Sequence, residues 1–599
     1  MVLGEIKKKY QERVKENEAL LARLKRKQFI VSMLRLAVFA GGVVAAVLVS
    51  GLSATAGVVV ILLFAALFLL LVKHFTSLSD QIRFTENLVM INRSEINALE
   101  GDYSAFEGGN IWKDKNHDFS NDTDLFGEDS LFRYLNRTVT GYGRELLAGW
   151  LSDPYRLKNG IKARQEAIGE LAEKFIWRQL FMAHGLGKPL EKEDIESLGK
   201  WLDEKENFLS SPVMRIVVAV SPLLTIGVLI LALTRVIPPE PAILLFLVNL
   251  ALTGVYLKKN NRVHSMVSGK YIFLTSFEKL ISVFGNERFS SKILIEASAK
   301  FHSDSRSAEK SIKDLSRIIH TFDSRLNLFV GFILNGLILW DFQCLIKLEK
   351  WKIEAAGRLP LWLEAIGEAD ALISLSNHTF NNPEFVFPEI TDGDPVFEAT
   401  SLGHPLIDEK IRICNDFSVE HKGLICIVTG ANMAGKSTFL RTIAVNLILG
   451  MTGTKVCAAK FRFKPVVLFS SMRTTDSLSS NESYFYAELK RLKILKERLD
   501  SDADLFFILD EILKGTNSED KSTGSKMFLG KLAEKNATGI IATHDISLGE
   551  MEKVYPQNIF NKCFEVEISG ESVIFDYKLR DGITKHMNAG ILMRQMGII

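Results

Sequence analysis

The chain is poor in cysteine, poor in tyrosine relative to phenylalanine, and almost free of excess charge. Its 599 residues include five cysteines, and none of them forms a C-x-x-C pair. This excludes a disulfide scaffold and favours reduced, mostly buried thiols in a cytosolic setting. With 47% apolar residues, 24% charged residues and a net charge of +2, the composition also excludes disorder and collagen-like repeats. Mean hydropathy is nonetheless positive at +0.12, so apolar residues are concentrated somewhere in the chain.

No charged side chain occurs between Arg35 and Lys73. A small-residue turn divides this run into two apolar stretches, 36–49 and 54–72. A helix that crosses a bilayer needs ~20 apolar residues, which the second stretch supplies. The first supplies them if it begins near residue 29 and Arg35 extends to the interface. The run therefore predicts a transmembrane helical hairpin over residues 29–73, called hairpin 1.

A second pair of apolar stretches, 216–233 and 242–257, is separated by a proline-rich loop. It predicts hairpin 2, over residues 213–258. Lysine and arginine flank both hairpins at their outer ends, whereas Arg235 is the only lysine or arginine in the connecting loops. By the positive-inside rule, both hairpins enter from the cytoplasm and return to it. We therefore expect a multi-pass protein of the inner (cytoplasmic) membrane, with the N-terminus and all other domains in the cytoplasm.

Two alternatives concern these apolar stretches. Ala54-Thr55-Ala56 resembles a signal-peptidase site, but the charged region before it is long and another apolar helix follows at once. Buried core helices are the second alternative, which the length of the runs and their basic flanks disfavour. Residues 326–340 form a shorter apolar stretch with two asparagines, and we interpret it as a core or interfacial helix.

The rest of the chain divides by composition. Residues 1–28 predict a basic cytoplasmic helix suited to an anionic membrane surface. Residues 74–124 are assigned to a linker, rich in glycine, asparagine, aspartate and serine after residue 100. Residues 125–390 are helical in pattern and interrupted by hairpin 2. Residues 391–599 alternate β-branched strands with helices, which is typical of an α/β domain with a largely parallel sheet.

A glycine-rich loop follows a predicted buried strand at 424–429 and precedes a predicted helix. It reads Gly430-Ala431-Asn432-Met433-Ala434-Gly435-Lys436-Ser437-Thr438. The pattern G-x-x-x-x-G-K-[ST] in this setting is typical of a phosphate-binding loop, whose N–H groups and helix N-terminus attract phosphate oxygens. We expect Lys436 to reach the β- and γ-phosphates of ATP and Ser437 to hold Mg²⁺.

Polar residues end two further apolar strands. Residues 505–509 lead into Asp510 and Glu511, and residues 540–543 lead into His544. Adjacent carboxylates at the end of a buried strand are costly unless they are paired or bind a metal. The pattern therefore predicts Asp510 as a Mg²⁺ ligand and Glu511 as the group that polarises the attacking water. It predicts His544 as a sensor of the γ-phosphate.

Together these elements resemble the MutS family of DNA mismatch-repair ATPases, within the ABC class of P-loop proteins. The family loop reads Gly-Pro-Asn-Met-Gly-Gly-Lys-Ser-Thr, and this chain departs from it at Ala431 and Ala434. Residues 130–143 and 164–171 resemble the start of the family's helical core. The resemblance implies a mostly helical MutS-like core with two transmembrane hairpins, followed by an α/β P-loop ATPase domain.

The segment 481–489 resembles the family's signature segment. The resemblance implies that Ser483 faces the γ-phosphate bound by the other subunit, and hence a homodimer with composite sites, although a simple helix cap is the alternative. It also places Ile413 near the adenine, with Arg412 where an aromatic is common. His404, at the family's entry to this domain, is interpreted as structural.

Two functional hypotheses stay open. The first is a membrane-tethered ATPase that binds mismatched or branched DNA, as the family name implies. Against it, hairpin 1 stands where the family has its mismatch-reading domain, and the near-neutral charge gives no strong basic patch. The second is an ATP-driven membrane or protein-remodelling device that has lost DNA recognition. A transporter is disfavoured because the predicted spans carry no charge that marks a substrate path, so no small-molecule transport substrate is expected.

Overall fold

Helices make up most of the chain up to residue 381, and strands alternate with helices after it. The computed structural model describes residues 3–186, 192–204, 212–302, 307–473, 484–502, 504–514, 517–569 and 572–585. The helices before residue 390 are α1 Leu3–Ser50, α2 Ala54–Leu99, α3 Leu131–Leu135, α4 Gly141–Ser152, α5 Ile161–Glu173, α6 Phe175–Gly185, α7 Lys192–Asp203, α8 Pro212–Leu233, α9 Glu240–Val255, α10 Leu257–Val267, α11 Tyr271–Gly285, α12 Lys292–Ala299, α13 Ala308–Asp323, α14 Leu328–Ile338, α15 Trp340–Ala355 and α16 Leu359–Asn381.

The second part contains short strands and the remaining helices. The strands are β1 Glu389–Ile390, β2 Phe397–Leu402, β3 Asn415–Val419, β4 Ile425–Gly430, β5 Lys460–Phe463, β6 Val467–Ser471, β7 Leu505–Asp510, β8 Thr538–Thr543, β9 Ile559–Phe564, β10 Glu567–Ser569, β11 Ser572–Ile574 and β12 Leu579–Asp581. The helices are α17 Lys436–Thr452, α18 Tyr484–Ser501, α19 Ser518–Glu534, α20 Ile546–Gly549 and α21 Met551–Val554.

Helices α1 and α2 pack against each other as one long antiparallel pair. The pair extends well beyond the apolar run of hairpin 1, because α1 begins at Leu3 and α2 ends at Leu99. Residues 74–99, which the sequence interpretation placed in a linker, therefore continue α2. The physical reason is a buried stripe at helical spacing that includes Leu78, Ile82 and Leu88.

By length and composition, three helices of the described part could cross a membrane, namely α1, α2 and α8. Two bent pairs raise this number to five if each pair counts as one span. In the first, α9 turns by 66° into α10, and in the second, α14 turns by 81° into the segment Trp340–Asn381. Helix α14 leaves Leu328 and Phe329 82% and 78% exposed, so of the two interpretations of this stretch the core helix is wrong and the interfacial helix stays a prediction.

A buried polar network joins the α1–α2 pair to the helical core. Glu95 on α2 pairs with Arg137 at 2.6 Å, and both side chains are almost fully buried. The amide of Asn381, the last residue of α16, donates to Glu95 at 2.8 Å. On α1, the hydroxyl of Tyr10 donates to Asn381 at 2.9 Å. The network therefore fixes both helices to the end of α16, where the chain enters the α/β part.

Two large sheets and the two-stranded antiparallel sheet of β10 and β11 lie in the described residues of the α/β part. The six-stranded sheet has the order β12-β9-β4-β8-β7-β6, and all its strands are parallel except β12, which is antiparallel to β9. Strands β4, β7 and β8 are buried at every position, as expected for strands covered on both faces. The four-stranded sheet has the order β1-β5-β2-β3. The largely parallel sheet predicted from the sequence is thus present.

The end of α17 contacts the helical core. The guanidinium of Arg164, on α5, donates to the carbonyl oxygens of Thr452 and Met451, each at 3.0 Å. These carbonyls lie at the C-terminus of α17, where intrahelical partners are lacking. Because α17 begins at Lys436 in the glycine-rich loop, one helix connects that loop to the core.

The segment between α2 and α3 packs along the α/β part. The carboxylate of Asp122 is buried and accepts hydrogen bonds from the Ser470 hydroxyl and the backbone N–H groups of Met472 and Arg473, at 2.6 to 3.1 Å. Arg473 also pairs with Asp124. The glycine-rich and asparagine-rich composition that suggested a linker thus belongs to a segment fixed at the edge of the six-stranded sheet.

Candidate nucleotide-binding site

The glycine-rich loop connects β4 to α17, as the sequence predicts. Gly435 adopts φ 100°, and a Cβ there would approach the ring of Tyr577 to 3.0 Å, so this position requires glycine. Lys436 is buried, and its ammonium donates to the carbonyl oxygens of Gly430 and Ala431, each at 2.8 Å. Burial lowers the pKa of Lys436 to about 8. The amine is therefore held inside the loop, where an anionic phosphate would favour its protonated, charged form.

Two carboxylates at the end of β7 face the loop. The Ser437 hydroxyl donates a short hydrogen bond to the carboxylate of Asp510. Glu511, the next residue, has a φ of 55°, a left-handed conformation that is uncommon outside glycine and is found at functional sites. Its backbone N–H donates to the carbonyl oxygen of Ala542 on β8 at 2.8 Å. This turn directs the two adjacent carboxylates to the same edge of the sheet.

His544, which follows β8, connects the loop to Glu511. Its Nε2 lies 2.6 Å from Glu511 Oε1, and its Nδ1 lies 2.8 Å from the carbonyl oxygen of Gly430. The hydrogen bond from His544 is the main cause that lowers the pKa of Glu511 to about 2. Lys521, at 3.7 Å from Glu511 Oε2, acts in the same direction. Glu511 is therefore a carboxylate throughout the physiological pH range.

These groups line one cavity of about 750 Å³. The predicted site residues on its wall are Asn432, Met433, Gly435, Lys436, Ser437, Thr438, Asp510, Glu511, His544 and Ile413. Gly430, Ala431 and Ala434, which belong to the same loop, are buried and do not line it. The structure thus brings together the residues of the loop and of two strand ends that are far apart in the sequence. Ser483 lies outside the described residues.

The part of the cavity wall around Ile413, where we expected the adenine, differs in part from the prediction. Arg412 does not line it, because its guanidinium donates back to the carbonyl oxygen of Ile407 and lies over the ring of Phe385. Tyr577 supplies an aromatic ring instead, 43% exposed. This residue could not be found from the sequence, because it belongs to no motif. His404, interpreted as structural, also lines the cavity, and burial lowers its pKa to about 4.

The oxygen ligands at the loop fit a hard divalent cation. The Ser437 hydroxyl and the Asp510 carboxylate already lie in contact, and oxygen donors of these two kinds suit Mg²⁺. Next to them, Lys436 supplies a cation and α17 supplies its N-terminus, and both attract anionic groups. The arrangement can therefore hold a phosphate group with its metal ion.

Comparison with known proteins gives two matches to family profiles. Residues 113–218 match MutS domain III, and residues 426–598 match MutS domain V. The second match contains the glycine-rich loop, both carboxylates and His544. The first contains Asp122, Arg137 and Arg164.

Individual relatives agree with these profiles over part of their length. MutS protein homolog 4 of Homo sapiens is 29% identical over 239 residues, which is 38% of this chain and 25% of that protein. The DNA mismatch repair protein MutS of Acetivibrio thermocellus is 28% identical over 255 residues, 41% of this chain and 29% of the relative. The DNA mismatch repair protein MSH4 of Arabidopsis thaliana is 29% identical over 261 residues, which is 42% of this chain and 32% of that protein.

The matched segments thus span less than a third of the length of these curated relatives. The two domain matches, in the order and at the places where the structure has its helical core and its parallel sheet, together with the named relatives, support the MutS family for this chain.

Proposed function

We propose that this chain is a membrane-anchored, MutS-like ATPase. The observation that carries the proposal is the convergence of Lys436, Ser437, Asp510, Glu511 and His544 on one cavity. In this proposal Lys436 binds the β- and γ-phosphates of ATP. Glu511, an acceptor held by His544, orients the attacking water and takes its proton.

Ser437 and Asp510 would hold Mg²⁺, which supplies charge for the phosphates during transfer. The chain's own residues orient the phosphates and the base. Burial of Lys436 against two carbonyl oxygens fixes the direction of its ammonium. Ile413 and Tyr577 offer an apolar and an aromatic surface on the cavity wall for the adenine. We infer ATP with Mg²⁺ as the cofactors on this basis.

Membrane anchoring is supported by the exposure of the apolar stretches. On α1 and α2, residues such as Leu48 and Leu70 are 68% and 64% exposed, and on α8 Leu223 is 75% exposed. Water would penalise such continuous apolar surfaces, and a bilayer would cover them. With basic residues at the outer ends of both hairpins, the proposal places the helical core and the ATPase domain in the cytoplasm at the inner membrane.

We further propose a homodimer with composite sites, in which Ser483 of one subunit acts on the nucleotide of the other. The support is the resemblance of residues 481–489 to the family's signature segment. Mixing of variants tests it. A subunit with Lys436→Ala and a subunit with Ser483→Ala are each expected to be inactive alone. A mixture is expected to regain activity at the one complete site of each heterodimer, whereas independent sites would regain none.

A specific observation favours the second hypothesis, a membrane or protein-remodelling device. Helices α1 and α2 run without a break from the apolar hairpin into the buried network of Glu95, Arg137 and Asn381. Helix α16, which ends in this network, also contacts the segment that follows α17, since the side chains of Thr379 and Thr454 lie 3.3 Å apart. Movement at the nucleotide would therefore reach the membrane hairpin through packed helices.

The enzymatic proposal is tested on the full chain in nanodiscs. Lys436→Ala is expected to abolish nucleotide binding, because the buried ammonium is lost. Glu511→Gln is expected to keep binding and to reduce turnover by about 10²- to 10⁴-fold, the usual contribution of a general base. The matched control is Lys493→Ala, an exposed lysine on α18, which should change neither. Wild-type hydrolysis in both site variants would refute the assignment.

DNA binding is tested in the same preparation. The ATPase rate is measured against homoduplex, mismatched and four-way DNA at two salt concentrations. Stimulation that weakens with salt would support a DNA-acting ATPase. No binding and no stimulation at low salt would leave the remodelling device as the function.

A further inference from the structure

Helix α14 has an exposed apolar surface that the proposed anchoring does not use. Leu328, Phe329, Phe332 and Ile333 are 82%, 78%, 54% and 49% exposed. They lie on an 11-residue helix, which is ~16 Å long at 1.5 Å per residue, about half of a hydrocarbon core. The helix is too short to span a bilayer, and its exposed apolar surface is unsuited to water.

Helix α14 also packs on hairpin 2. The rings of Phe332 and Phe246 meet edge to face, with centroids 5.4 Å apart. A Cβ added to Gly336 would collide with the ring of Phe246, so α14 approaches α9 closely at this point. The exposed face of α14 therefore continues the exposed apolar surface of α8 and α9.

Polar groups inside this three-helix cluster are paired with one another. The amide of Asn249, on α9, donates to the carbonyl oxygen of Gly336 at 2.9 Å and to the Thr225 hydroxyl at 3.1 Å. The Ser221 hydroxyl donates to the Asn249 carbonyl oxygen at 2.6 Å. Asn249 and Thr225 are 3% and 1% exposed. Thus a carbonyl of the last turn of α14 has a protein partner, which backbone at membrane depth requires.

The residues that flank the two ends of α14 contact each other. Arg325, just before the helix, pairs with the fully buried Asp341, just after it, at 2.9 Å. The Asn335 amide donates to Asp341 at 3.1 Å, and the Asp341 N–H donates to Asn335 at 3.0 Å. Leu339 between them takes a left-handed conformation, φ 53°, which makes the turn. A closed polar base of this kind belongs to a segment that enters and leaves on the same side.

We propose that α14 is a re-entrant, lipid-embedded element whose exposed face contacts the acyl chains of the cytoplasmic leaflet beside hairpin 2. The inference rests on the proposed anchoring and deepens it, because it adds a third membrane-contacting element and keeps α15 and α16 in the cytoplasm. The occupant is the lipid rather than a second copy of the chain, because the surface is continuous with that of α8 and α9. It also explains a strongly apolar helix that is not part of the core.

Spin-label accessibility in nanodiscs tests the proposal. A nitroxide is attached to Phe329→Cys in the full chain with Cys414→Ser, since the other four native cysteines are buried. Leu224→Cys on α8 serves as the bilayer reference and Ile353→Cys on α15, 75% exposed, as the aqueous reference. The ratio of oxygen to nickel-chelate collision rates at Phe329→Cys is expected to match that at Leu224→Cys and to exceed that at Ile353→Cys.

The other outcomes overturn the proposal in distinguishable ways. A ratio at Phe329→Cys equal to that at Ile353→Cys, with Leu224→Cys still in lipid, would refute the re-entrant element and leave the anchoring intact. Protection from both reagents with dipolar broadening would show that a second copy covers α14. An aqueous ratio at Leu224→Cys as well would refute the anchoring itself.

Discussion

Glu511 and His544 are joined by a 2.6 Å contact between Oε1 and Nε2, although they lie at the ends of different strands. The second ring nitrogen of His544 faces the carbonyl oxygen of Gly430 at the start of the glycine-rich loop. One imidazole thus connects the residue that would activate water with the loop that would hold the phosphates. A change in the loop on nucleotide binding would therefore act directly on Glu511.

Loss of this imidazole is expected to change the pH dependence of turnover. In His544→Asn the main cause of the low pKa of Glu511 is removed, so the pKa rises from about 2 toward its ordinary value of 4.5. The acid limb of the kcat profile should therefore move to higher pH, with a lower plateau. The matched control is His404→Asn, which lines the same cavity without touching Glu511. An unchanged acid limb in His544→Asn would contradict the role assigned to His544.

The same pKa shift predicts an acid-dependent stability. A carboxyl whose pKa is depressed on folding stabilises the folded state above its ordinary pKa, and this contribution is lost as the pH falls through the folded value. For Glu511 the window runs from 4.5 down to about 2. Thermal unfolding of wild type and Glu511→Gln should therefore converge as the pH falls from 6 to 3. Glu519→Gln, at an exposed position on α19, should show no such convergence, and a constant difference for Glu511→Gln would contradict the prediction.

Most of the site could be predicted from the sequence because its chemistry is local. The loop at 430–438 and the polar residues after β7 and β8 follow apolar strands whose parallel pairing brings their carboxyl ends together. Tyr577 could not be predicted, because its position at the cavity depends on the pairing of the strand that follows it, β12, with β9. The orientation of Arg412 could not be predicted either. Its guanidinium donates to the backbone carbonyl oxygen of Ile407, and a backbone acceptor of this kind has no signature in the sequence.

The fold shows the same division. Apolar runs predicted both hairpins, which the structure forms as helices, and alternation of strands and helices predicted the parallel sheet. Composition gave the wrong prediction where tertiary contacts determine whether a segment is ordered. Residues 74–99 are polar enough to suggest a linker, but their buried stripe packs on α1 and on the core. Likewise, the Asp-rich segment around Asp122 is ordered by donors supplied from β6.

The buried pair of Glu95 and Arg137 predicts a large effect on stability. Glu95→Gln leaves the Arg137 charge without its partner, and removal of one partner from a buried pair costs about 3–5 kcal/mol. The control is Glu18→Gln, which breaks an exposed pair with Arg93 between α1 and α2 and should cost about 0–1 kcal/mol. Denaturant unfolding in detergent measures both. Equal losses in the two variants would show that the network does not fix the hairpin to the core.

Asp122 predicts a connection between the segment after α2 and catalysis. Asp122→Asn weakens three hydrogen bonds to the end of β6, and the cost is expected at about 1–3 kcal/mol. Because Arg473 leads into the segment that contains Ser483, we also expect a lower ATPase rate with ATP binding retained. Asp129→Asn, an exposed neighbour, is the control for both readouts. A stable Asp122→Asn protein with wild-type turnover would refute the connection.

The most direct test of the central claim is ATP hydrolysis by carbonate-washed membranes from cells that express the wild type or Glu511→Gln. Alkaline carbonate removes peripheral proteins and leaves proteins with transmembrane helices in the pellet. The account predicts that both proteins stay in the pellet and that only wild-type membranes hydrolyse ATP above background. Recovery of the protein in the supernatant, or equal hydrolysis by the two membrane preparations, would contradict a membrane-anchored ATPase with Glu511 at its centre.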